Sequence, residues 1–171
     1  MKKALLLTVI VISLVGYVNA QNKSSLFGFE GRVYLLEDRG DKGKEVNISL
    51  YDNNEKVSSY QTNRTGKFLL DVKRNKHYTV LFEKEGYITK SIIIKTYAKP
   101  NEVADIEIFK FDVILDAKEP ANNYSLVDFP VSLIQLDREK GEFAFNVDYN
   151  ESMIELKKRI LERKSNIAAT E

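Results

Sequence analysis

The sequence feature that most restricts the fold is an alternation of apolar and polar residues in short segments between residues 26 and 115. Residues 45–51 show it most clearly, with apolar side chains at Val46, Ile48 and Leu50 and polar ones between them. A period of two is typical of a strand with one buried face, whereas a helix needs apolar residues every three or four positions. The alternation therefore predicts a β-sheet protein.

Turns rich in Gly, Asn and Asp divide this region into seven predicted strands. Parallel strands joined through helices need crossovers of about a dozen residues or more, and there is no room for them before residue 115. We therefore predict a mainly β fold, a seven-stranded antiparallel sandwich. In the last predicted strand, residues 103–115, the apolar phase changes. The change predicts a bulge near Phe109 or a passage from one sheet environment to another.

The C-terminal part has a different pattern. Residues 129–136 and 142–146 predict a hairpin, and the residues from Asp148 to Ser152 predict the start of an amphipathic helix. The apolar stripe of this helix consists of Tyr149, Met153, Leu156 and Ile160. The stripe either packs on its own domain or docks a partner, and the pattern leaves both open.

The N-terminus predicts export. Lys2 and Lys3 precede an apolar run at residues 4–16, and cleavage of a secretory signal is expected after Ala20. The rival interpretation is a membrane anchor, but the run is shorter than the roughly 20 apolar residues that span a bilayer. The chain has no cysteine, so a thioether-linked lipid anchor is excluded. The expected location is the periplasm, the outer-membrane periphery or the medium, reached through the Sec pathway.

These segments give three predicted regions: a signal peptide at 1–20, a β-sandwich domain at 21–117 and a hairpin-and-helix extension at 118–171. The 26 basic and 25 acidic residues nearly balance. Such a balance lacks the basic surface that nucleic-acid binding needs. Without cysteines, the stability of the fold must come from packing.

The middle of the chain resembles a known family. The residues that carry the resemblance are Gly31–Tyr34, Lys44–Leu50, Thr62–Leu70 and Tyr78–Tyr87. In this order they resemble the carboxypeptidase regulatory-like domain, a transthyretin-like or immunoglobulin-like sandwich related to the Cna-B repeats. The resemblance implies an accessory module that stiffens, spaces or docks other domains. Asn63 stands where the family usually has Asp, and an Asn side chain can still accept the hydrogen bond of the turn. The C-terminal segment is similar to envelope proteins of Bacteroidota.

The titratable residues do not predict an active site. His77 is the one histidine, and catalytic zinc usually needs two or three imidazoles. The Asp38, Asp41 and Glu45 group, and the turn at residues 52–55, could bind calcium, but plain turns are favoured. The Arg-Gly-Asp triplet at residues 39–41 is interpreted as chance. We therefore predict no catalytic, cofactor-binding or metal-binding residues, no cofactor and no enzyme.

The predicted function is a non-enzymatic exported module for protein–protein interaction or structural support in the bacterial cell envelope. Its expected partner is another envelope protein, with no nucleic acid, only indirect membrane attachment and an undetermined oligomeric state. The alternative is an accessory domain that binds carbohydrate or peptide, with Tyr34, Tyr51 or Tyr60 as an exposed aromatic platform. A third possibility, an enzyme with an acid pair, would require two carboxylates in a cleft.

Overall fold

The computed structural model describes residues 26–36, 42–99, 102, 108–118 and 129–168, without the side chains of residues 161 and 164–168. The strands in these ranges are β1 Leu26–Leu35, β2 Asn47–Asp52, β3 Glu55–Gln61, β4 Lys67–Lys73, β5 His77–Glu83, β6 Lys90–Lys95, β7 Phe109–Lys110, β8 Val113–Leu115, β9 Ser132–Asp137 and β10 Glu142–Phe145, and the helix is α1 Val147–Ala168. The predicted signal peptide, residues 1–20, lies outside the described residues.

The strands form two sheets. In the smaller sheet, β1 pairs with β4 on one side and with β7 and β8 on the other. The larger sheet has the order β10-β9-β6-β5-β2-β3. Apolar side chains of both sheets meet in one core, as in the contact of Phe68 with Phe82, whose ring centroids are 5.4 Å apart. The prediction of a mainly β sandwich is confirmed.

Three strand pairings differ from the expected antiparallel arrangement. β7 and β8 run parallel to β1, and β9 runs parallel to β6. The parallel pairings arise because the chain leaves the larger sheet after β6 and follows the smaller sheet as β7 and β8. It then returns beside β6 as β9, over connections long enough for strands to align in the same direction.

The predicted strand at residues 103–115 is two short strands where it is described, since residues 103–107 lie outside the described part. β7 and β8 keep one register against β1, with Glu30 opposite Lys110 and Val33 opposite Val113. The ladder is interrupted at residues 111–112 without a change of side-chain phase, because Phe111 and Val113 both remain buried. The predicted bulge near Phe109 depends on the phase of residues 103–107, so it stays a prediction.

The C-terminal hairpin is present and belongs to the larger sheet. β10 pairs antiparallel with β9, and β9 joins β6. Ile134, Leu136 and Phe143 enter the core, where the Phe143 ring lies 4.9 Å from the Phe27 ring between centroids. The hairpin, placed after residue 117 in the predicted extension, thus contributes to the same core as the preceding strands.

Helix α1 begins at Val147, earlier than predicted, because Asn146 is its N-cap. The Asn146 side-chain oxygen accepts the Tyr149 N–H at 2.8 Å. The Asn150 side-chain oxygen accepts the Leu133 N–H at 3.0 Å, and Leu133 is only 5% exposed although it lies on the outer face of the sheet. The start of the helix therefore packs on its own sheet, and the four residues of the predicted stripe are half-buried.

Candidate interaction surface

Within the part of the chain that the structure describes, the outer side of the smaller sheet carries four exposed apolar side chains among its charged residues. Leu26, Leu69, Ile108 and Ile114 are 42%, 49%, 47% and 47% exposed. We call this surface the open face. Its outward-pointing residues are Leu26, Gly28, Glu30, Arg32 and Tyr34 of β1, Lys67, Leu69, Asp71 and Lys73 of β4, and Ile108, Lys110, Asp112 and Ile114 along β7 and β8.

Strand register arranges the open face in rows. Arg32 stands directly opposite Lys67, whereas Glu30 stands between Leu69 and Lys110. The Lys110 ammonium lies 3.2 Å from the Glu30 carboxylate. Among the described residues, neither the Arg32 guanidinium nor the Lys67 ammonium has a salt-bridge partner within 4.0 Å. Two like charges directly opposite each other destabilise a sheet, so this row is unfavourable for the isolated fold.

Gly31 allows a close approach of the chain beside these cations. A Cβ at residue 31 would lie 1.6 Å from the Phe111 carbonyl oxygen and 3.0 Å from Phe68 Cζ. The connection between β7 and β8 therefore lies against the inner side of β1. The Arg32 N–H donates to the Asp112 side chain at 2.9 Å, in place of the next backbone acceptor. A depression of about 420 Å³ lies at this place, lined by Glu30, Gly31, Arg32, Tyr34, Lys67, Phe68, Lys110, Phe111 and Asp112.

A second concave surface lies where the hairpin of β9 and β10 meets the end of β6. This groove encloses about 520 Å³ and is lined by Lys95, Tyr97, Gln135, Leu136, Asp137, Arg138, Glu139, Ala144 and Phe145. Lys95, Gln135 and Ala144 form one cross-strand row at its floor. Tyr97 is 51% exposed, so an aromatic ring stands beside hydrogen-bonding side chains.

The β9–β10 turn beside this groove is held by Asp137. Its carboxylate accepts the N–H groups of Glu139 at 3.0 Å and of Lys140 at 3.3 Å. The hydrogen bond from the Lys140 backbone is the largest of the effects that lower the pKa of Asp137 below its usual value. The charged carboxylate is thus part of the turn, in which Gly141 has a φ of 70°.

An ion pair connects two turns at one end of the sandwich. The Lys76 ammonium lies 2.6 Å from an Asp52 oxygen, and the hydrogen bond and charge of Asp52 raise the pKa of Lys76. The other Asp52 oxygen is buried without a hydrogen bond in the described part. Thr96, fully buried nearby, donates to the Lys73 carbonyl at 2.8 Å and accepts the Lys76 N–H at 2.9 Å. These contacts join β4, β5 and the end of β6, and we interpret them as structural.

The segment around Thr62, part of the family resemblance, is a turn held by side-chain hydrogen bonds. The buried Thr62 hydroxyl accepts the Val46 N–H at 2.9 Å and donates to the Gly43 carbonyl. The Asn63 side-chain oxygen accepts the N–H groups of Thr65 and Lys67 at 2.9 and 3.0 Å, as expected of an Asn in this position. Gly66 has a φ of 72°, which a residue with a Cβ rarely adopts.

The three tyrosines proposed as alternatives for an aromatic platform lie in different places. Tyr34 lies on the open face, Tyr51 points outward from the larger sheet, and Tyr60 packs against the core. All three are half-buried, and ligand binding by any one of them stays a prediction. Tyr97 is an exposed aromatic residue that the sequence pattern did not indicate, because it lies outside the regular strands.

The other predicted candidates occupy ordinary positions. His77 is half-buried on β5 opposite Lys95. Asp52 begins the β2–β3 turn, in which Asn53 and Asn54 have φ values of 49° and 68°. Such a pair of positive angles is typical of a tight hairpin turn. Asp38, Asp41 and the triplet at residues 39–41 lie outside the described residues.

In the described ranges, no group of three or more His, Cys, Asp or Glu side chains is arranged to hold a metal ion. No helix in the described ranges is both long enough and apolar enough to span a bilayer. Burial raises the pKa of the Tyr149 hydroxyl, which donates to the Pro130 carbonyl at 3.0 Å beneath the helix. This hydroxyl anchors α1.

Comparison with known proteins adds little to this geometry. No protein-family model matches the chain. The outer capsid glycoprotein VP7 of Rotavirus C is 25% identical over 125 residues, which cover 72% of this chain and 38% of VP7. The chain therefore spans well under half the length of this relative.

Solved structures are similar only at a low level. The Bacillus anthracis TIE protein has a TM-score of 0.43 at 15% identity, over 55% of this chain and 18% of that one. The 3-chlorocatechol 1,2-dioxygenase of Rhodococcus opacus 1CP has a TM-score of 0.40 at 14% identity, over 58% of this chain and 62% of that one. TM-scores this low carry no argument about the class of the protein. Its assignment as a β-sandwich with an open charged face follows from the strand pairing alone.

Proposed function

We propose that the chain is an exported, non-enzymatic β-sandwich module that acts by protein–protein contact or structural support in the bacterial cell envelope. The open face is its contact surface. The observation that carries this proposal is the group of four large apolar side chains, 42–49% exposed, on one sheet face. These side chains stand among charged ones along the face, and protein interfaces combine apolar contacts with a polar rim.

Two features of the sequence support the cellular setting of the proposal. The basic and then apolar residues at positions 2–16 have the layout of a secretory signal. The resemblance of residues 27–95 to carboxypeptidase regulatory-like domains supports an accessory role. Export predicts a mature protein that begins at Gln21 and is recovered from the envelope or medium. N-terminal sequencing of the purified protein tests this, and an intact Met1 in a membrane fraction would favour the anchor instead.

Site-specific photocrosslinking in the producing cells tests the contact surface. A photoreactive phenylalanine analogue is placed at Leu69 or Ile114 on the open face, and at Val57 on β3 as a matched exposed control. We expect a discrete adduct of higher mass from the first two positions and none from Val57. Equal adducts at all three positions, or none at Leu69 and Ile114, would refute a specific contact through this face.

The groove beside the β9–β10 turn supports a second candidate, a carbohydrate- or peptide-binding module. An exposed Tyr97 beside Lys95, Gln135 and Asp137 combines a ring for stacking with hydrogen-bonding groups. Such a mixture of apolar and polar lining is typical of ligand sites. A glycan and peptide array probed with the wild type and with Tyr97→Ala tests this candidate. Binding that Tyr97→Ala abolishes supports it, and the absence of any signal removes it.

A further inference from the structure

We infer that the Arg32–Lys67 row of the open face binds a carboxylate-rich segment of the partner protein, an acidic peptide stretch with apolar residues among its acids. This inference rests on the proposed function, because it names the chemistry of the partner at the same face. It assigns the recognition to three side chains, Arg32, Lys67 and Tyr34, around the depression beside Gly31.

Arg32 and Lys67 occupy an electrostatically unfavourable position, directly opposite each other on neighbouring strands. In antiparallel strands, directly opposed side chains have Cβ atoms about 4.5–5.5 Å apart, and like charges at that distance repel. Elsewhere in the described part, short-range ion pairs relieve several basic side chains, as between Lys110 and Glu30 or Lys90 and Asp116. Within the described ranges neither Arg32 nor Lys67 has such a pair, so an external anion would relieve the repulsion.

The carboxylate nearest to Arg32 already accepts a backbone hydrogen bond. Asp112 is the acidic residue next to Arg32 in the row, and its Oδ1 accepts the Arg32 backbone N–H at 2.9 Å. The preceding bond of the ladder is present, since the Phe111 N–H donates to the Glu30 carbonyl at 3.0 Å. The next one, from the Arg32 N–H, goes to the Asp112 side chain and not to a backbone carbonyl. This Asp112 oxygen is therefore occupied by the backbone, and Arg32, Lys67 and Asp112 line the same depression.

The side chains around the cations favour a peptide over a polysaccharide. The cations are flanked by aliphatic side chains, with Leu69 in the next row and Ile114 opposite Tyr34. The Tyr34 ring beside Ile114 adds to this apolar surface. Aliphatic groups next to cations complement a peptide in which apolar side chains stand among acidic ones.

A titration of the purified, isotopically labelled protein with a hexaglutamate peptide, followed by backbone amide shifts, tests the inference. We expect saturable shifts confined to residues 30–34, 66–69 and 110–114. Arg32→Gln/Lys67→Gln should weaken hexaglutamate binding about tenfold for each lost cation. Lys56→Gln/Lys118→Gln, which removes the same charge from exposed sites elsewhere, should leave it unchanged.

Four results would overturn the inference. The first is an equal loss in the two double variants, which would mean non-specific attraction. The second is inorganic phosphate binding as tightly as hexaglutamate, which would make a single oxyanion the ligand. The third is polygalacturonate displacing hexaglutamate at lower carboxylate concentration, which would indicate an acidic glycan. A specific photoadduct at Leu69 without hexaglutamate binding would refute the acidic segment and leave the proposed contact surface in place. Amide shifts of Arg32→Gln/Lys67→Gln that equal those of the wild type outside the substituted region would show that this variant is folded.

Discussion

Replacing Gly31 by alanine tests the contact that shapes the open face. The new Cβ would lie 1.6 Å from the Phe111 carbonyl oxygen, whereas carbon–oxygen contacts are normally about 3.3–3.6 Å. The β7–β8 connection must therefore move away from β1 by about 1.5–2 Å. The Phe111 backbone cannot yield as a flexible side chain would, because Phe111 is itself buried between Phe68 and Phe109.

The expected loss has two parts. Overpacking in a close-packed region costs roughly 1–3 kcal/mol. The two hydrogen bonds on either side of Gly31, from Phe111 N–H and Arg32 N–H, contribute about 0.5–1.5 kcal/mol each and would be lost with the movement. We therefore expect Gly31→Ala to lower the free energy of unfolding by about 4 kcal/mol, a large part of the 5–15 kcal/mol that is typical of a domain.

Equilibrium unfolding in urea, followed by circular dichroism, measures this loss. With a slope of about 2 kcal/mol per molar urea, the midpoint should fall by about 2 M. Gly28→Ala is the matched control in the same strand, because its Cβ would meet the Ile108 side chain, 3.0 Å from Cγ1, and no backbone atom is among its nearest neighbours. We expect the control to change stability by less than about 1 kcal/mol. Similar midpoints for the two variants would refute the assigned role of Gly31.

Substitutions at four further positions test other parts of the structure. Thr62→Val should destabilise by about 2–4 kcal/mol, because it leaves the buried Val46 N–H and Gly43 carbonyl without partners, while Thr62→Ser should lose much less; urea unfolding measures both. Lys67→Gln should raise the stability by about 0.2–1 kcal/mol, because it removes the repulsion from Arg32, and a lower urea midpoint would contradict the assigned row. Asn146→Ala should cost about 1 kcal/mol and reduce the helical circular dichroism signal, since it removes the N-cap of α1. Asp137→Ala should destabilise at pH 7, and its difference from wild type should shrink as the pH falls through the lowered pKa of Asp137. The pKa of Asp137 is lower in the folded than in the unfolded protein, where it is about 3.9, so the charged carboxylate stabilises the fold above that pH and stops doing so below the folded pKa. A difference in stability that grows as the pH falls would contradict this sign.

Local patterns predicted the strands and much of the core. Alternation placed Val46, Ile48 and Leu50 inside, and all three are at most 3% exposed. The turn at Thr62 and Gly66 was also recognisable, because its hydrogen bonds join residues within a few positions of one another. In such segments the local preference and the tertiary environment agree, which is why a single sequence suffices.

Long-range pairing could not be predicted in the same way. The parallel contact of β6 with β9 depends on the path of the intervening chain, and no residue pattern within either strand encodes its partner. The opposition of Arg32 and Lys67 follows from the register of β1 against β4. In the sequence they are two unremarkable surface cations, and only the pairing turns them into a candidate site.

The most direct measurement of the central claim is the yield of the Leu69 photoadduct in producing cells, compared between the wild-type background and Arg32→Gln/Lys67→Gln. If the chain acts through the open face and the cation row, the adduct should fall at least tenfold in the double variant. It should persist in Lys56→Gln/Lys118→Gln. An adduct of unchanged yield in the Arg32 and Lys67 variant would contradict the account.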